Sequence, residues 1–463
     1  MKKKFYITTP IYYPNDIPHV GHAYTTITAD VLARYHKLKG EEVLFVTGTD
    51  EHGKKIQKIA QEKELSPKDF VDLIIPQFKD AWKKLNIDYS RFIRTTDKDH
   101  EKVVQDVLQK VYDKGDIYSG EYEGYYCVGC EAYFTEKELE NGCCPIHKKK
   151  VDLIKEKSYF FKIQNYKKDL LKLYEKDFIL PKNKKKEIVN RVKDMDRDLS
   201  ISRTSFDWGI KLPFDKKHVA YVWFDALLNY YTATREKGRE NFWPADLHIL
   251  AKDIFYFHAV VWPAILMSAG IDLPKNIFVH GYWTFGDEKI SKSRGKVINI
   301  DELISITGNV DSVRYFLLRA TPFGDDGDFS EQALIDRHNN ELANKLGNLV
   351  SRVSGLIEKN GIEECDVKLI KKLNNKKIEK YFENYELDKV LNEIFGFVDV
   401  CNEYVQEKKP WETKDKKVLF ELKESILKIS ELLLPFIPKT AEKIKKQFSA
   451  KEIKKGDVLF EKV

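Results

Sequence analysis

Apolar positions along this chain change period several times, and those changes divide it into regions. Phe5–Thr9 is a short apolar run, the pattern of a buried strand. A proline-rich turn follows, with Pro10, Pro14 and Pro18. Val20, Tyr24, Ile27, Val31 and Tyr35 then recur at helical spacing and predict a helix from His19 to Leu38, with Gly40 as its stop. Glu42–Thr47 reads as a second buried strand. Ser66-Pro67 reads as a helix start, with a capping hydroxyl and proline at the first helical position. Strands alternating with helices predict a parallel, doubly wound α/β sheet.

The pattern breaks over residues 116–214, where cysteines, lysine runs and irregular spacing suggest an inserted domain. It then resumes: Leu247–Leu250 as a strand, Asp253–Ser268 as a helix, Ile277–His280 as a strand, then a polar loop from Gly286 to Gly295. Beyond about residue 330 only helical spacing remains. Leu342, Leu346, Leu349, Val350 and Val353 form one stripe; Val390, Leu391, Ile394, Phe395 and Val398 another; Leu422, Ile426, Ile429 and Leu433 a third. We therefore expect an α/β catalytic domain in two halves (1–115 and 215–285), an insertion (116–214), a loop and linker (286–335) and an α-helical bundle (336–463).

Composition changes this picture little. The 42% apolar fraction is ordinary for a globular protein, and 79 − 73 gives a net charge of +6, spread thinly over 463 residues. Lysine runs such as Lys184–Lys186 read as solvated faces. The start of the chain is too short and too broken in its apolar stretch for a signal peptide, and no run approaches the ~18 apolar residues of a membrane helix. A cytoplasmic protein is expected, with no membrane partner. Four of the six cysteines fall between Cys127 and Cys144, which favours metal over disulfides. Cys127-Val-Gly-Cys130, thirteen residues, then Cys144-Pro-Ile-His147 is zinc-knuckle spacing; Cys143 competes with Cys144 for one position. Four protein ligands leave no open coordination position, so such a zinc is structural.

Two motifs carry candidate chemistry. His19-Val-Gly-His22 lies where the first strand turns into the first helix, and exposed N–H groups at a helix start attract phosphate. Two imidazoles three residues apart can face one ligand, and Gly21 allows close approach. Alone, these histidines could equally cap the local backbone. Lys289-Ile-Ser-Lys-Ser293 suits a mobile polyphosphate clamp; alone it reads better as a solvated basic loop. Together they follow the first and last recognisable strands of one α/β fold, whose ligands bind at the C-terminal strand ends.

These motifs resemble the HIGH and KMSKS motifs of class I aminoacyl-tRNA synthetases. The chain resembles the methionyl-tRNA synthetases almost end to end, through Thr9-Pro-Ile-Tyr-Tyr13, Thr47-Gly-Thr-Asp-Glu-His-Gly53, Tyr221-Val-Trp-Phe-Asp-Ala226, Lys252-Asp-Ile-Phe-Tyr-Phe-His258 and Phe278-Val-His-Gly-Tyr282. The resemblance implies a Rossmann-like catalytic domain with an inserted zinc knuckle and a C-terminal helical anticodon-binding domain. It implies ATP-dependent activation of L-methionine to methionyl-adenylate, then transfer to the 3′ end of tRNA(Met) for initiation and elongation. ATP with Mg2+ is the implied co-substrate and one structural Zn2+ the implied metal.

By the same resemblance His19, His22, Lys289 and Lys292 act in catalysis, and Gly21 and Ser291 join them around ATP. Pro10, Ile11, Tyr13, Asp50, Trp223, Ala226, Tyr230, Ile254, His258 and Trp262 surround methionine. Asp50 suits the substrate ammonium, Tyr13 and Trp223 suit a polarisable thioether, and His258 or Tyr230 offers sulfur a donor. Leu227 departs from the proline expected there in many relatives, and Arg203 matches a position near the active site. Zinc falls to Cys127, Cys130, Cys144 and His147, and the anticodon to Asn348, Arg352 and Trp411.

The competing reading is another class I synthetase, of cysteinyl or leucyl type. No insertion is long enough for a leucyl-type editing domain, and the cysteines lie in a separate knuckle. A small-molecule nucleotidylyltransferase would share the HxGH turn but not need the helical third. A non-catalytic RNA-binding relative would not need all four histidines and lysines. With the chain ending at Val463, no appended tRNA-binding barrel is expected, and a monomer is.

Overall fold

The computed structural model describes residues 2–127, 132–134, 136–145, 148–285, 288–289 and 298–463. The chain forms two compact units that alternate along the sequence: Met1–Pro18, Lys39–Ala81 and Asp88–His280 in the first, and His19–Leu38, Trp82–Ile87 and Gly281–Val463 in the second.

The first unit is built on a six-stranded sheet of β1 (Lys4–Tyr12), β2 (Glu42–Thr49), β3 (Arg91–Arg94), β4 (Ile179–Leu180), β5 (Leu247–Ala251) and β6 (Asn276–His280), in the order β3-β2-β1-β5-β6-β4. Every neighbouring pair is parallel. Phe5, Tyr6, Ile7, Leu44, Phe45 and Val46 are all buried, as consecutive residues must be when both faces of a sheet are covered. The order reverses between β1 and β5, so a crevice opens beyond their C-terminal ends.

The end of β1 is deformed by its own sequence. Thr8 pairs with Val46 but Ile11 with Gly48, so β1 carries one residue more than β2 across this stretch. Pro10 sits in that bulge, where its missing N–H removes no ladder bond. Beside it, a Cβ at Gly48 would lie 1.9 Å from the Ile93 carbonyl oxygen, so β2 and β3 approach closely only because this position is glycine.

The segment expected as one helix over 253–268 is interrupted. A 3-10 turn (Lys252–Ile254) leads to a π-helical turn (Phe257–Val261) and then an α-helix (Trp262–Ala269). Pro263 cannot donate to the Ala259 carbonyl, which instead accepts the Tyr174 hydroxyl at 2.7 Å. Trp262, Ile265 and Leu266 share a core with Val104, Leu108 and Val111 of helix Lys98–Asp113.

Within residues 116–214 an antiparallel sheet runs Ala132–Phe134, Ile117–Cys127, Asp152–Phe161, Leu199–Ser200. The short strand Ile179–Leu180, from the same stretch, instead extends the parallel sheet at its edge.

The second unit is mainly helical. Helix Val20–Leu38 matches the predicted span, and the three apolar stripes read from the sequence are buried in helices Asn348–Asn360, Leu387–Lys408 and Lys416–Leu433 and the π-helical segment His338–Gly347. The fully buried guanidinium of Arg314 reaches Asp30 Oδ2 (2.6 Å), Leu85 O (3.0 Å), Asn86 O (3.5 Å), Pro435 O (2.8 Å) and Phe436 O (2.8 Å). Five donors in a fixed fork need that many acceptors to leave water. Among the described residues no helix is long and apolar enough to cross a membrane.

Gly48→Ala is expected to destabilise the protein by roughly 1–3 kcal/mol through overpacking, read from urea or thermal unfolding.

Candidate active site

The turn after β2 is fastened at every residue. The Asp50 N–H donates to the Tyr12 carbonyl at 2.9 Å, and the residue is buried. Glu51, fully buried, accepts Arg94 Nε and Nη2 at 2.7 and 2.8 Å and the hydroxyls of Thr49 and Thr96 at 2.7 Å each. Its N–H donates to Thr95 Oγ1 at 2.9 Å. His52 Nδ1 donates to Asp225 Oδ2 at 2.6 Å, and the His52 carbonyl accepts the Tyr13 hydroxyl at 2.9 Å. Trp208 closes the turn: its Nε1 donates to Glu51 O at 2.6 Å, and its carbonyl accepts the Gly53 N–H at 3.1 Å.

Asp225 is the buried centre of this network, 1% exposed. Its other oxygen lies 2.8 Å from His100 Nε2, and His100 Nδ1 lies 3.0 Å from Thr232 Oγ1. Burial by itself would push the Asp225 carboxyl up. His52 and the hydrogen bonds from His100 and His52 outweigh that and hold it below the ordinary carboxylate range. Burial likewise disfavours the charged His52 ring, yet Asp225 raises its pKa above the ordinary histidine value. The two partners agree on an ion pair.

Across the crevice lies an uncharged aromatic wall. The Trp223 ring stacks on Phe257 at 3.9 Å with a 4° interplanar angle and meets His258 edge-on at 6.1 Å. His258 Nδ1 lies 3.0 Å from Ile254 O, and its Nε2 lies 2.7 Å from the Tyr230 hydroxyl. A carbonyl only accepts, so Nδ1 carries the proton and Nε2 accepts from Tyr230. Both donors that the sequence offered to a thioether are thus engaged within the protein. Trp262 Nε1 donates to His248 Nε2 at 3.4 Å, which puts the His248 proton on Nδ1, 2.7 Å from Thr8 Oγ1. Burial keeps both imidazoles neutral, pushing His248 well down and His258 to about 4. Burial also raises the Tyr230 hydroxyl, and Tyr12 and the Asp50 carboxylate add to the rise.

All ten residues expected around methionine belong to the first unit. Pro10, Ile11 and Tyr13 come from the bulged end of β1, Asp50 follows β2, Ile254, His258 and Trp262 follow β5, and Trp223, Ala226 and Tyr230 lie on helices Val222–Leu227 and Asn229–Thr232. Leu227 is buried in the core behind them. Arg203 is not the surface ion-pair residue it could have been: it is 2% exposed, 4.4 Å from the Tyr221 ring and bonded to Ser200 Oγ at 2.9 Å.

The second unit carries the histidine turn. The rings of His19 and His22 stack at 3.9 Å. His22 Nδ1 accepts the His19 N–H at 3.2 Å, and His19 Nδ1 accepts the Gly21 N–H at 3.1 Å. Each ring in its neutral form therefore carries its proton on Nε2. A Cβ at Gly21 would stand 3.0 Å from His19 Cε1, so glycine lets this stack close. His19 bridges to Asn299, and the Val20 N–H donates to Ile298 O at 3.1 Å. Ile298 and Asn299 thus lie against the turn. The backbone of Lys289 pairs with Thr284; Ser291 and Lys292 lie outside the described residues.

Of the metal candidates, Cys127 and Cys144 are buried and Cys143 is half-buried, none in a disulfide; Cys130 and His147 lie outside the described residues. Glu140 and Cys143 exchange two backbone bonds of 3.0 Å over Asn141 and Gly142, both at positive φ (54° and 73°). Lys148 then donates to Cys144 O at 2.8 Å, and Cys144 to Lys149 O at 2.9 Å. Among the described residues no group of three or more metal-ligating side chains is assembled. Of the expected four-ligand set, Cys127 at the end of strand Ile117–Cys127 and Cys144 just after the Asn141-Gly142 turn are described, and both are buried thiols of the type zinc takes.

In the bundle, Asn348 and Arg352 line one groove of about 410 Å³ together with Ser351, Glu358 and Lys455. Trp411 stands outside that lining, 40% exposed on the short helix Pro410–Thr413.

The sequence reading missed Asp225, His100, Glu51 and Arg94. Asp225 did leave a signal, as the one carboxylate inside the apolar run Tyr221–Leu228. His100 left none.

The neutrality of His258 has a pH signature. Unfolded, its ring takes a proton near pH 6.5; folded, near 4. As pH falls through that window the unfolded chain binds a proton the native state refuses, so stability falls, by on the order of 3 kcal/mol when complete. The melting temperature of the wild type should drop more steeply between pH 6.5 and 4 than that of His258→Asn; parallel slopes would contradict this.

Comparison with known proteins gives a consistent result. The family model described as tRNA synthetases class I (M) matches residues 5–153 and 136–354, and the anticodon-binding domain of tRNA ligase matches residues 368–462. The chain is 45% identical to a methionine–tRNA ligase of Caldanaerobacter subterraneus, covering 100% of this chain and 79% of that one. It is 46% identical to the Campylobacter jejuni methionine–tRNA ligase, covering 95% and 74%. Mycobacterium tuberculosis methionyl-tRNA synthetase bound by methionyl-adenylate shares the fold with a TM-score of 0.91 at 37% identity, covering 96% of this chain and 94% of that one. Its apo form gives 0.84 at 34% identity, covering 100% and 99%.

Proposed function

The chain belongs to the methionyl-tRNA synthetase family of class I tRNA synthetases, and from that membership we infer how its own residues divide the work of a methionine–tRNA ligase. In the first step the methionine carboxylate attacks the α-phosphorus of ATP, and the bond to pyrophosphate breaks. In the second, the terminal tRNA hydroxyl attacks the adenylate carbonyl, and AMP leaves.

One observation carries the assignment of the amino-acid pocket: the turn that bears the buried carboxylate Asp50 is tied, by His52 to Asp225 at 2.6 Å, to the helix that carries Trp223. An ammonium group needs the carboxylate and a thioether the aromatic ring. Asp50 takes the ammonium. Tyr13 and Trp223 cover the side chain; Pro10, Ile11, Ala226, Tyr230, Ile254, His258 and Trp262 complete its lining. Neutral His248 and His258 keep positive charge away from the thioether.

His19 and His22 offer Nε2 donors to the triphosphate at the start of helix Val20–Leu38, where the helix N-terminus already favours anions. Lys289, Ser291 and Lys292 act with them as charge builds on the pyrophosphate. ATP arrives as its Mg2+ complex, and the metal neutralises phosphate charge. In the bundle, Asn348 and Arg352 reach bases from their shared groove, and the exposed Trp411 ring stacks on one. The cytoplasm, where thiols remain reduced, is the compartment this reading implies.

Zinc is part of the same proposal. Cys127, Cys130, Cys144 and His147 would hold it, and the burial of Cys144 against the half-exposed Cys143 supports choosing the former. Metal analysis should find an equimolar amount of zinc, lost in Cys144→Ser and kept in Cys143→Ser. Zinc-free wild-type protein would overturn it.

The functional test is ATP–pyrophosphate exchange against each amino acid. Methionine should stimulate it; stimulation by leucine or cysteine instead would refute the reading. Trp411→Ala should keep exchange within about twofold while tRNA charging falls on the order of 100-fold. Equal loss of both would make Trp411 a structural residue.

A further inference from the structure

We propose that Asp225 is a positioning residue that ties the two walls of the methionine pocket together and so sets both methionine affinity and side-chain discrimination. The inference rests on the pocket reading above and deepens it.

The geometry is specific. Asp225 stands between Trp223 and Ala226 on helix Val222–Leu227, which forms one wall. Through Oδ2 it holds His52 at 2.6 Å, two residues from Asp50 on the opposite wall. The His52 carbonyl in turn takes the Tyr13 hydroxyl at 2.9 Å, so the same residue fixes a ring expected over the substrate. Through Oδ1 Asp225 is held by His100 of helix Lys98–Asp113 at 2.8 Å, and His100 reaches Thr232, two residues from Tyr230, at 3.0 Å. Each carboxylate oxygen thus has its own imidazole: His52 leads to the turn of Asp50 and to Tyr13, and His100 to the helix of Tyr230.

A buried ion pair is a poor device for stability alone, since apolar packing of equal volume does as well or better. What it supplies is direction: two short charged hydrogen bonds fix the distance between walls that apolar contacts would let slide. A pocket that must separate a thioether from an alkyl chain of the same length has little binding energy to work with, so its width matters.

The test compares steady-state ATP–pyrophosphate exchange with methionine and with norleucine, in which a methylene replaces sulfur. Asp225→Asn should raise the methionine KM at least about tenfold, change kcat less than about threefold, leave the ATP KM unchanged, and lower the methionine-to-norleucine ratio of kcat/KM several-fold. His52→Ala should behave alike. His52→Asn puts an amide N–H where the imidazole Nδ1–H stands and should recover most of the loss. If Asp225→Asn does not fold, the His52 pair carries the test. Variants that lose melting temperature but keep the methionine KM and the selectivity ratio would reduce Asp225 to an ordinary structural ion pair and overturn the proposal, as would equal behaviour of His52→Ala and His52→Asn. Absence of methionine-dependent exchange in the wild type would instead defeat the functional reading beneath it.

Discussion

Burying a carboxylate is costly unless its oxygens find partners, and the turn that follows β2 rests on meeting that need at two carboxylates far apart in the chain, Glu51 and Asp225. Glu51 receives a two-pronged guanidinium and two hydroxyls; Asp225 receives two imidazoles. Between them they immobilise the turn that follows β2, and that turn presents Asp50. Without such fastening a four-residue turn at a strand end would wander, and a carboxylate meant for a substrate ammonium would relax toward solvent. The bulge that Pro10 makes in β1 and the glycine that lets β2 press on β3 bring the neighbouring strand ends to the same crevice.

The opposite wall follows from the complementary rule. Two histidines buried among tryptophan and tyrosine cannot bear charge, so they are held neutral and satisfy each ring nitrogen internally. The pocket proposed above would consequently have one anionic end and one polarisable, uncharged end. In the second unit the same need to satisfy a buried charge appears at Arg314, which joins the helix bearing the histidine turn to the carbonyls of Pro435 and Phe436. There, backbone N–H groups fix the tautomers of His19 and His22, and the chain after the lysine motif pairs with them.

Much of this was legible in the sequence because it is local. Helical stripes such as Leu342–Val353, the helix after His19, the buried runs of β1, β2, β5 and β6 and the parallel α/β order all leave periodic marks. The ten pocket positions came from resemblance to a family, and all ten belong to the first unit. What escaped was long-range or irregular. Asp225 meets partners 173 and 125 positions away, and no period records that. The π-helical turn at Phe257 depends on Tyr174 capturing a carbonyl that Pro263 cannot serve. The edge strand Ile179–Leu180 is too short to be seen without its neighbour. The donors offered to sulfur are engaged within the protein, Tyr230 with His258 and His258 with Ile254 O, a matter of geometry rather than residue type.

Asp50 and the aromatic wall are proposed to receive the two ends of one methionine. A crystal structure with methionine bound tests this most directly. The ammonium nitrogen should lie within about 3 Å of the Asp50 carboxylate, with the thioether against Trp223, Tyr230 and His258. Methionine ordered elsewhere, or bound with its ammonium turned away from Asp50, would contradict it.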